Sequence, residues 1–410
     1  MLKRLMVAVM LAHICASTGL AADPTITVSA KQRYPWNGLV DLQFTITGDA
    51  GTKYDTSFTV KDMIGGTNIM MATIRKADGT AANVASERLL PSNYHWIWDA
   101  AADLPKGWKC DRVTVTGTTE YKPLYMVIDL SSGSSSSSYP VSYLDDVPTG
   151  GWSDEYKTTK LVLRRIEPGT FKMGGQYTVT LTKPFYIGVF EVTQRQWELV
   201  MGTKPSYFSN VAYYATRPVE QVSWNMIRGV SSTYHWPSSM DVDANSFIGR
   251  IMLRTGPNFD LPTEAQWEYA CRAGTITDFN NGKNRTGGDN DANLNEVGRY
   301  RYNGGLISGS SIPNSGSTTA NGSSKVGTYR SNEWGLYDMH GNVWEACLDW
   351  YGTLTSDDDP VGPSSGTYRV RRGGCWDSIA EHCIASDRHN ASPSDGTRSC
   401  GFRLARTILE

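Results

Sequence analysis

A serine-rich tract divides the chain and limits how it can fold. Ser131-Ser132-Gly133 leads into five consecutive serines, Ser134 to Ser138. Serine and glycine contribute almost no apolar surface to a core, so such a tract is typical of a solvated, flexible linker. The tract therefore predicts that the chain segments before and after it form separate domains, each with its own hydrophobic core. We expect residues 131–157 to form a Ser-rich linker followed by a turn-rich segment that caps the next domain.

Length and charge narrow the classes of protein that remain. The 410 residues are enough for two or three domains with sizeable cores. The formal net charge is −2 and no basic run occurs, so there is no electrostatic argument for nucleic-acid binding. With 40 Gly, 13 Trp and 21 Tyr, the composition favours a loop-rich globular protein with aromatic-lined surfaces over a helical bundle.

The first residues have the pattern of a secretory signal. Lys3 and Arg4 precede an apolar stretch from Leu5 to Cys15, and small residues follow to Ala21 and Ala22. This pattern predicts a signal peptide at residues 1–22 and a secreted, periplasmic or cell-surface protein. The apolar stretch is shorter than the ~20 residues that a bilayer requires, so we expect no membrane span.

Six cysteines remain after the predicted signal peptide. Outside the cytosol, disulfides are the usual state of such residues, although six cysteines allow 15 pairings and the sequence does not choose among them. No Cys-x-x-Cys pair is present, which argues against a zinc ribbon or a thioredoxin-type site. The six are Cys110, Cys271, Cys347, Cys375, Cys383 and Cys400.

Residues 23–130 show the alternation that is typical of β-strands. Val40 to Ile46 alternates apolar and polar side chains, and turn signals such as Gly48-Asp49 and Asp78-Gly79 separate such runs. Period two with frequent turns predicts a small all-β sandwich of the immunoglobulin-like type. No clustered histidines or acids at ligand spacing occur here, so we interpret this domain as a spacer or adhesion module.

Residues 158–408 mix short β runs, two short helices and long loops. One helix is predicted to begin after Thr193 and to end at Gly202. The other begins after Thr263, where Gln266 completes a capping box, and ends before Gly274. The loops between residues 280 and 330 are long enough to suggest a functional or metal-stabilised region.

Ordered sequence blocks in this region resemble the formylglycine-generating enzyme, or sulfatase-modifying factor, family. The resemblance covers nearly all of residues 158–408, the C-terminal two-thirds of the chain. It implies an irregular α+β domain related to the C-type-lectin fold, preceded here by the all-β sandwich. The blocks include Pro168–Gly175, Phe190–Thr193, Arg217–Trp224, Leu261–Ala270, Trp334–Glu345, Arg371–Gly374 and Gly401–Arg403.

The resemblance implies a copper site that this chain matches only in part. Enzymes of the family use O₂ to oxidise a sulfatase cysteine to Cα-formylglycine, and two cysteines at the fourth and ninth positions after a Gly-Gly pair bind Cu(I). After Gly374, the fourth residue is Ser378 and the ninth is Cys383, while Cys375 stands at a position often held by serine. A serine hydroxyl is a hard ligand that does not suit Cu(I). Cys375 could act with Cys383 only if the loop repacked; otherwise both cysteines are expected in ordinary disulfides.

The resemblance also implies calcium sites. Two carboxylates seven residues apart, with a glycine between them, are a sensible oxygen ligand set for Ca²⁺. The alternative is that one acid caps a turn while the other lies on a solvated face. A second site would begin at Asn293 and the carbonyl of Leu294. The implied ligands of the first site are the side chains of Asp338 and Glu345 and the carbonyls of Gly341 and Val343.

Two histidines near Cys383 allow a further interpretation. His382 or His389 could form a Cys–His nucleophile pair with Cys383. Neighbouring residues on an extended strand point to opposite faces, however, which favours a surface histidine at position 382.

Three classes of function remain open from the sequence. The first is a calcium-stabilised binding or accessory protein that presents a sulfatase or another peptide or glycan ligand in the family's groove. The second is a formylglycine-generating oxidase that uses copper at Cys383 and Cys375. The third is a structural cell-surface protein that displays a variable lectin-like surface. Nothing in the sequence determines the oligomeric state.

Overall fold

The computed structural model describes residues 23–409 with internal gaps. The gaps are residues 34–37, 63–65, 67, 84–86, 105–112, 210–212, 231–240 and 304–321. The predicted signal peptide at residues 1–22 and Cys110 lie outside the described residues, as does most of the loop at 300–330. The chain divides into two compact units, Met1–Pro123 and Leu124–Glu410.

The first unit is built mainly from antiparallel strands. One sheet has the strand order β1-β2-β7-β5; in the other, β3 lies between β4 and β6 and also pairs with β8. The strands are β1 (Thr25–Gln32), β2 (Leu39–Thr47), β3 (Tyr54–Asp62), β4 (Asn68–Ile69), β5 (Ile74–Lys76), β6 (Glu87–Leu89), β7 (Ser92–Asp99) and β8 (Val113–Glu120), with the short helix α1 (Ala100–Asp103) after β7.

Alternation along these strands creates the core of the first unit. In β2, Val40, Leu42, Phe44 and Ile46 are buried while the intervening side chains are more exposed. Phe44 packs edge-on against Trp96 of β7 at 5.0 Å between ring centroids. Period-two burial is what a strand with one face on the core produces. The immunoglobulin-like assignment of this unit stays a prediction.

The second unit is a sheet-rich mixture of strands and short helices. Its strands are β9 (Tyr125–Asp129), β10 (Val141–Leu144), β11 (Lys160–Ile166), β12 (Gly169–Met173), β13 (Tyr177–Leu181), β14 (Phe185–Gly188), β15 (Gly298–Arg299), β16 (His340–Gly341), β17 (Trp344–Trp350), β18 (Arg369–Arg372), β19 (His389–Ala391), β20 (Cys400–Gly401) and β21 (Ala405–Thr407). Its helices are α2 (Glu155–Thr158), α3 (Gln194–Met201), α4 (Trp224–Arg228), α5 (Phe247–Thr255) and α6 (Glu264–Arg272), with 3₁₀ turns at Tyr214–Thr216, Leu294–Glu296, Arg301–Asn303 and Ala380–Cys383.

Two sheets organise this unit. One has the order β10-β9-β11-β14-β21, and the other, which carries the candidate site, has the order β19-β18-β17-β20. Trp197 of α3, Phe247 of α5 and Phe402 pack together in the largest core, with Trp197 and Phe247 stacked at 5.3 Å. These aromatic side chains bury large apolar areas and so hold the helices against the sheet.

Both predicted helices are confirmed, together with their caps. Thr193 and Gln196 form a capping box at the start of α3, which ends at Gly202 in the left-handed region at φ 76°. Thr263 and Gln266 form the same box at the start of α6. In each box the threonine side-chain oxygen accepts a hydrogen bond from the backbone amide of the glutamine three residues later. The glutamine side-chain oxygen accepts one from the threonine amide, so two amides that the helix leaves unpaired both gain a partner.

The serine tract differs from the predicted flexible linker. It lies inside the second unit, because β9 pairs with β11 and Leu130 is fully buried in the core of that unit. Arg254 of α5 donates to the Ser134 carbonyl at 2.7 Å and to the Tyr139 hydroxyl at 3.0 Å. The tract is therefore held by contacts with a distant helix, which its composition does not encode.

The expected disulfides are absent from the part of the chain that the structure describes. Its five cysteines are all buried and all free. They pack as small apolar side chains in three separate clusters, which is a common environment for free cysteine. Cys271 and Cys347 lie in one cluster, Cys383 in a second, and Cys375 and Cys400 in a third.

Candidate functional site

The loop that follows β18 carries the predicted catalytic residues. Gly373 and Gly374 both adopt positive φ, at 92° and 78°. A Cβ atom at Gly374 would lie only 2.5 Å from the Cys383 sulfur. The Gly-Gly pair thus lets the backbone turn back over Cys383, which lies at the end of the 3₁₀ turn Ala380–Cys383.

Ser378 and Cys375 are brought together at the start of this loop. The Cys375 amide donates to the Ser378 hydroxyl at 3.1 Å, and the Cys375 sulfur lies 3.3 Å from the same oxygen. The Ser378 amide donates to the Cys375 carbonyl at 3.0 Å, which closes the turn. Ser378 therefore has a defined structural role in this turn.

Burial keeps both candidate thiols neutral. It raises the pKa of Cys375 to about 11. It raises the pKa of Cys383 well above the ordinary value, and the neighbouring Cys375 adds to the rise. Because the thiolate is the form that attacks and binds metal, neither residue is activated at neutral pH without a ligand that displaces its proton.

His340 holds the Cys383 segment in place through a hydrogen bond to its backbone. Its Nε2 accepts the Asn280 amide at 3.0 Å, and its Nδ1 lies 2.7 Å from the Cys383 carbonyl. Because a backbone amide can only donate, the proton must be on Nδ1, which donates to Cys383. Burial lowers the pKa of His340 to about 4, so the ring stays neutral. Sequence reasoning missed this role, although His340 lies within the predicted calcium segment.

Asp338 lies in a buried cluster of acids. It adopts φ 57°; its Oδ2 accepts the Gly327 amide at 2.6 Å, and its Oδ1 has no hydrogen-bond partner among the described residues. Burial raises the pKa of Asp338 to about 6. The pKa of Glu191 is raised well above its ordinary value, mainly by burial and further by the nearby carboxylates of Asp338 and Glu345.

Arg403 is the cation that partly balances this cluster. Its guanidinium contacts Glu345 at 2.5 Å, and Trp267 donates to the same carboxylate at 2.7 Å. Glu191 is bound by the Asn342 side chain at 2.5 Å and by the Val343 amide at 3.1 Å. Three buried carboxylates face two cations, Arg403 and Lys157, which leaves one negative charge in excess near Asp338. Buried acids need a cation or protons. Glu345 is already paired, so Asp338 is the acid best placed to accept a cation.

Glu191 was not predicted as a member of this cluster. A carboxylate inside the apolar run Phe190–Val192 was the available sequence signal, because a charged residue there must find a buried partner. Gly341 is required where β16 meets β15, since a Cβ at that position would lie 1.9 Å from the Arg299 carbonyl oxygen. Two residues further on, the Val343 amide contacts Glu191 directly.

The second predicted calcium site is occupied by internal hydrogen bonds. Asp291 accepts the amides of Asn293 and Leu294 at 2.9 and 3.3 Å. The Leu294 carbonyl accepts the Val297 amide at 3.1 Å, and the Asn293 carbonyl accepts the Asn281 side chain at 3.0 Å. These contacts explain the turn without a metal ion. Asn293 and Leu294 as calcium ligands stay a prediction.

His382 is a surface residue, as predicted, but for a different reason. It lies in the 3₁₀ turn that ends at Cys383 and not on an extended strand. Its side chain is 41% exposed. The described contacts of the ring are with Asp387 and His389, so the structure provides no support for a His382–Cys383 nucleophile pair.

An open cleft of about 470 Å³ lies beside the loop. Arg398 extends over the rings of Tyr207 and Trp376, at 5.7 and 5.9 Å from their centroids. The cleft combines cations, aromatic faces and amide groups. Its lining includes Tyr207, Gln221, Arg371, Trp376, Thr397 and Arg398.

Glu220 is a buried acid behind this cleft. Its Oε1 accepts the Phe208 amide at 2.8 Å, and its Oε2 has no hydrogen-bond partner in the described chain. Burial raises the pKa of Glu220 to about 7, against the lowering effects of the Phe208 and Tyr207 amides and Arg217. Sequence reasoning did not single out this residue.

Among the described residues, no helix is both long enough and apolar enough to cross a bilayer.

Comparison with known proteins identifies the family. Chaperone protein LppX of Paenibacillus barcinonensis is 31% identical over 261 residues, which cover 57% of this chain and 86% of LppX. The formylglycine-generating enzyme of Streptomyces coelicolor is 36% identical over 207 residues, 48% of this chain and 55% of the enzyme. Serine/threonine-protein kinase pkn1 of Chlamydia pneumoniae is 32% identical over 203 residues, 48% of this chain, but these span only 25% of that kinase.

The family model for the sulfatase-modifying factor enzyme 1-like domain matches residues 153–408, which include both the cysteine loop and the acidic cluster. The chain therefore belongs to the sulfatase-modifying factor family.

Proposed function

We propose that this protein is an exported binding or accessory member of the sulfatase-modifying factor family, stabilised by calcium. The observation that carries the proposal is the pairing of the Ser378 hydroxyl with Cys375. Ser378 stands at the position where the family resemblance implies a copper ligand. A serine hydroxyl is a poor ligand for Cu(I), and the two nearby thiols are buried and neutral. Binding is thus the role that this site performs without rearrangement.

The cleft beside the loop supports a binding role. Arg371 and Arg398 supply positive charge, Asp377 adds one carboxylate, and Tyr207 supplies aromatic surface. Such a surface suits a peptide with acidic or aromatic side chains, or a glycan whose rings stack on the aromatic faces. A sulfatase segment is one peptide of this class. The chaperone name of the relative LppX supports an accessory role toward another protein.

Calcium is part of the proposal because the residues near Asp338 fit it. The free Asp338 Oδ1 and the excess of carboxylates call for a hard cation. The ion would be held by Asp338 and by the carbonyls of Gly341 and Val343. Glu345 would bind the ion only if its carboxylate contacted both the ion and Arg403. The bound ion would neutralise the cluster and fix the segment that carries His340.

Two finer assignments belong to the same proposal. We assign the second unit to the C-type-lectin-like class, on the family resemblance and on its short, irregular elements. We assign the first unit to an immunoglobulin-like spacer, because its strands form two sheets over one core. Export, and with it a secreted, periplasmic or cell-surface location, rests on the residues of the predicted signal peptide.

The alternative is a formylglycine-generating oxidase. It is favoured by the proximity of Cys375 to Cys383, which is close enough to raise the pKa of Cys383. In this alternative Cys375 replaces the missing ligand at position 378, and the reaction uses Cu and O₂ on a protein cysteine. The relatives named formylglycine-generating enzymes support it at the level of the family.

Cu(I) binding separates the two functions. The purified protein and a Cys383→Ala variant are titrated with Cu(I) under anaerobic, reducing conditions against a chromophoric chelator. The binding proposal predicts no stoichiometric Cu(I) above the level of the variant. Tight binding of one equivalent that is lost in Cys383→Ala would overturn it in favour of the oxidase.

A further inference from the structure

We propose that His382, Asp387 and His389 form a binding site for a divalent first-row transition-metal ion such as Zn²⁺. The three residues come from the 3₁₀ turn Ala380–Cys383, the loop after it and the first residue of β19. Their side chains offer two imidazole nitrogens and one carboxylate oxygen. This inference does not depend on the copper or calcium sites.

The distances fit a metal ion. One ligand atom from each residue lies within 4.8 Å of the other two. His382 Nδ1 is 3.5 Å from Asp387 Oδ2. In a tetrahedral site with metal–ligand bonds of about 2.0–2.2 Å, neighbouring ligand atoms lie roughly 3.3–3.6 Å apart. The observed separation is therefore that of two ligands around one zinc ion.

Two of these ligand atoms lack any other partner. Neither His382 Nδ1 nor Asp387 Oδ2 has a hydrogen-bond partner among the described residues, and both atoms are shielded from solvent. A shielded polar atom without a partner is destabilising. The outer part of the His382 ring is exposed, so the unpaired nitrogen is the one that faces inward. A bound cation would satisfy both atoms at once.

The backbone already holds the ligands in place. The Asp387 amide donates to the Ile384 carbonyl at 3.2 Å, and Arg372 donates to the Asp387 carbonyl. His389 is paired with Arg371 in the sheet, and its ring packs on Trp344 at 4.7 Å. Ligands held this way lose little conformational freedom on binding a metal ion, which favours affinity.

The charges around the site do not oppose a metal ion strongly. Arg371 is the nearest cation to His389, but its guanidinium lies over Trp344 and donates to the Cys400 sulfur at 3.2 Å. Arg388, the residue between Asp387 and His389, binds Glu264 at 2.5 Å. The site thus contributes one carboxylate and two imidazole rings.

The ligand types identify the class of metal. Imidazole and carboxylate suit Zn²⁺ and other divalent ions, whereas Cu(I) prefers thiolates. The three residues are only partly buried, so a fourth position is open to water or to a ligand. Three protein ligands with one open position are typical of reactive zinc sites, and structural sites are usually closed.

Zinc binding by variants tests the proposal. Tag-free protein, stripped with a chelator and dialysed, is titrated with Zn²⁺ by calorimetry and with Co²⁺ by visible absorption. We expect one equivalent to bind with the spectrum of nitrogen and oxygen ligands. Asp387→Asn and His389→Gln should each lower the affinity at least tenfold, and so should His382→Gln, whose exposed side chain makes it the variant least able to disturb the fold.

Matched controls make the result decisive. His95 pairs with Asp41 at 2.7 Å but lacks a second histidine, so His95→Gln should bind Zn²⁺ like the wild type. Cys383→Ala should also retain binding, which separates this site from thiol chemistry. Circular dichroism of each metal-free variant reports its fold. Absence of stoichiometric binding, equal binding in the folded His382, Asp387 and His389 variants, or loss in Cys383→Ala would overturn the proposal.

Discussion

The Ser378 hydroxyl lies 3.3 Å from the Cys375 sulfur and accepts the Cys375 amide at 3.1 Å. The family resemblance implies a cysteine where Ser378 stands and often a serine where Cys375 stands. The turn brings these two side chains into contact. Cys383, the remaining match, lies buried behind them.

A thiol at position 378 should restore copper binding. We expect Ser378→Cys to bind Cu(I) at least tenfold more tightly than the wild type, because two soft ligands then flank the loop. Competition with a chromophoric Cu(I) chelator measures the gain. Ser378→Ala is the control, since it removes the hydroxyl without adding a thiol. Equal affinity in the two variants would show that position 378 does not limit copper binding.

Calcium should stabilise the protein through Asp338. A hundredfold excess of Ca²⁺ over its Kd adds about 2.7 kcal/mol to the free energy of unfolding, because only the folded state presents the site. Thermal unfolding in Ca²⁺ and in chelator measures the shift. Asp338→Asn should remove it, and the exposed Asp395→Asn should not. A shift that persists in Asp338→Asn would place the ion elsewhere.

Glu220 should make stability depend on pH. Burial raises the pKa of Glu220 from 4.5 to about 7, so the folded state keeps a proton that the unfolded state releases. The stability that it contributes is full below about pH 4.5 and is lost as the pH rises through 7, by on the order of 3 kcal/mol. Urea unfolding of wild type and Glu220→Gln from pH 4.5 to 8 measures the difference between them.

In that comparison, the advantage of Glu220→Gln over the wild type should grow with pH, since the variant has no group to ionise at this position. Exposed Glu333→Gln serves as the control and should track the wild type. Parallel curves for wild type and Glu220→Gln would contradict the assigned titration.

Gly374 should be far less tolerant of a side chain than a glycine with the same backbone angle. Gly374 and Gly282 both have φ 78°, but a Cβ at Gly282 meets no atom within 4 Å. We expect Gly282→Ala to cost about 1–2 kcal/mol of unfolding free energy from backbone strain alone. Gly374→Ala adds a clash with the Cys383 sulfur, so it should lower the free energy of unfolding by more than Gly282→Ala does. Chemical denaturation of both variants measures the difference. Equal costs would mean that the loop relaxes freely.

Local features of the fold were predictable from the sequence because their causes are local. The two capping boxes join residues three positions apart, Thr193 with Gln196 and Thr263 with Gln266, so the helix starts are encoded within one turn. The β character of Val40–Ile46 follows from alternation alone. The family resemblance likewise rests on short blocks, which the family model confirms over residues 153–408.

The expectations that failed depended on distant partners. The serine tract has the composition of a linker, yet Arg254, 120 residues beyond Ser134, holds it against α5. The number of cysteines and the predicted export favoured disulfides, but the five described cysteines are free and lie in three clusters. Neither outcome can be predicted from the residues that are adjacent in sequence.

The sequence by itself determined the family, the helix caps and the place of Ser378 four residues after Gly374, because these are matters of residue identity and short spacing. Only the tertiary structure decided which charges share a buried space. Glu191 meets Asn342 across 151 residues, and the same packing brings Asp338, Glu345 and Arg403 to one cluster. The physical reason is that burial strengthens electrostatic interactions while long-range packing alone determines which groups become neighbours.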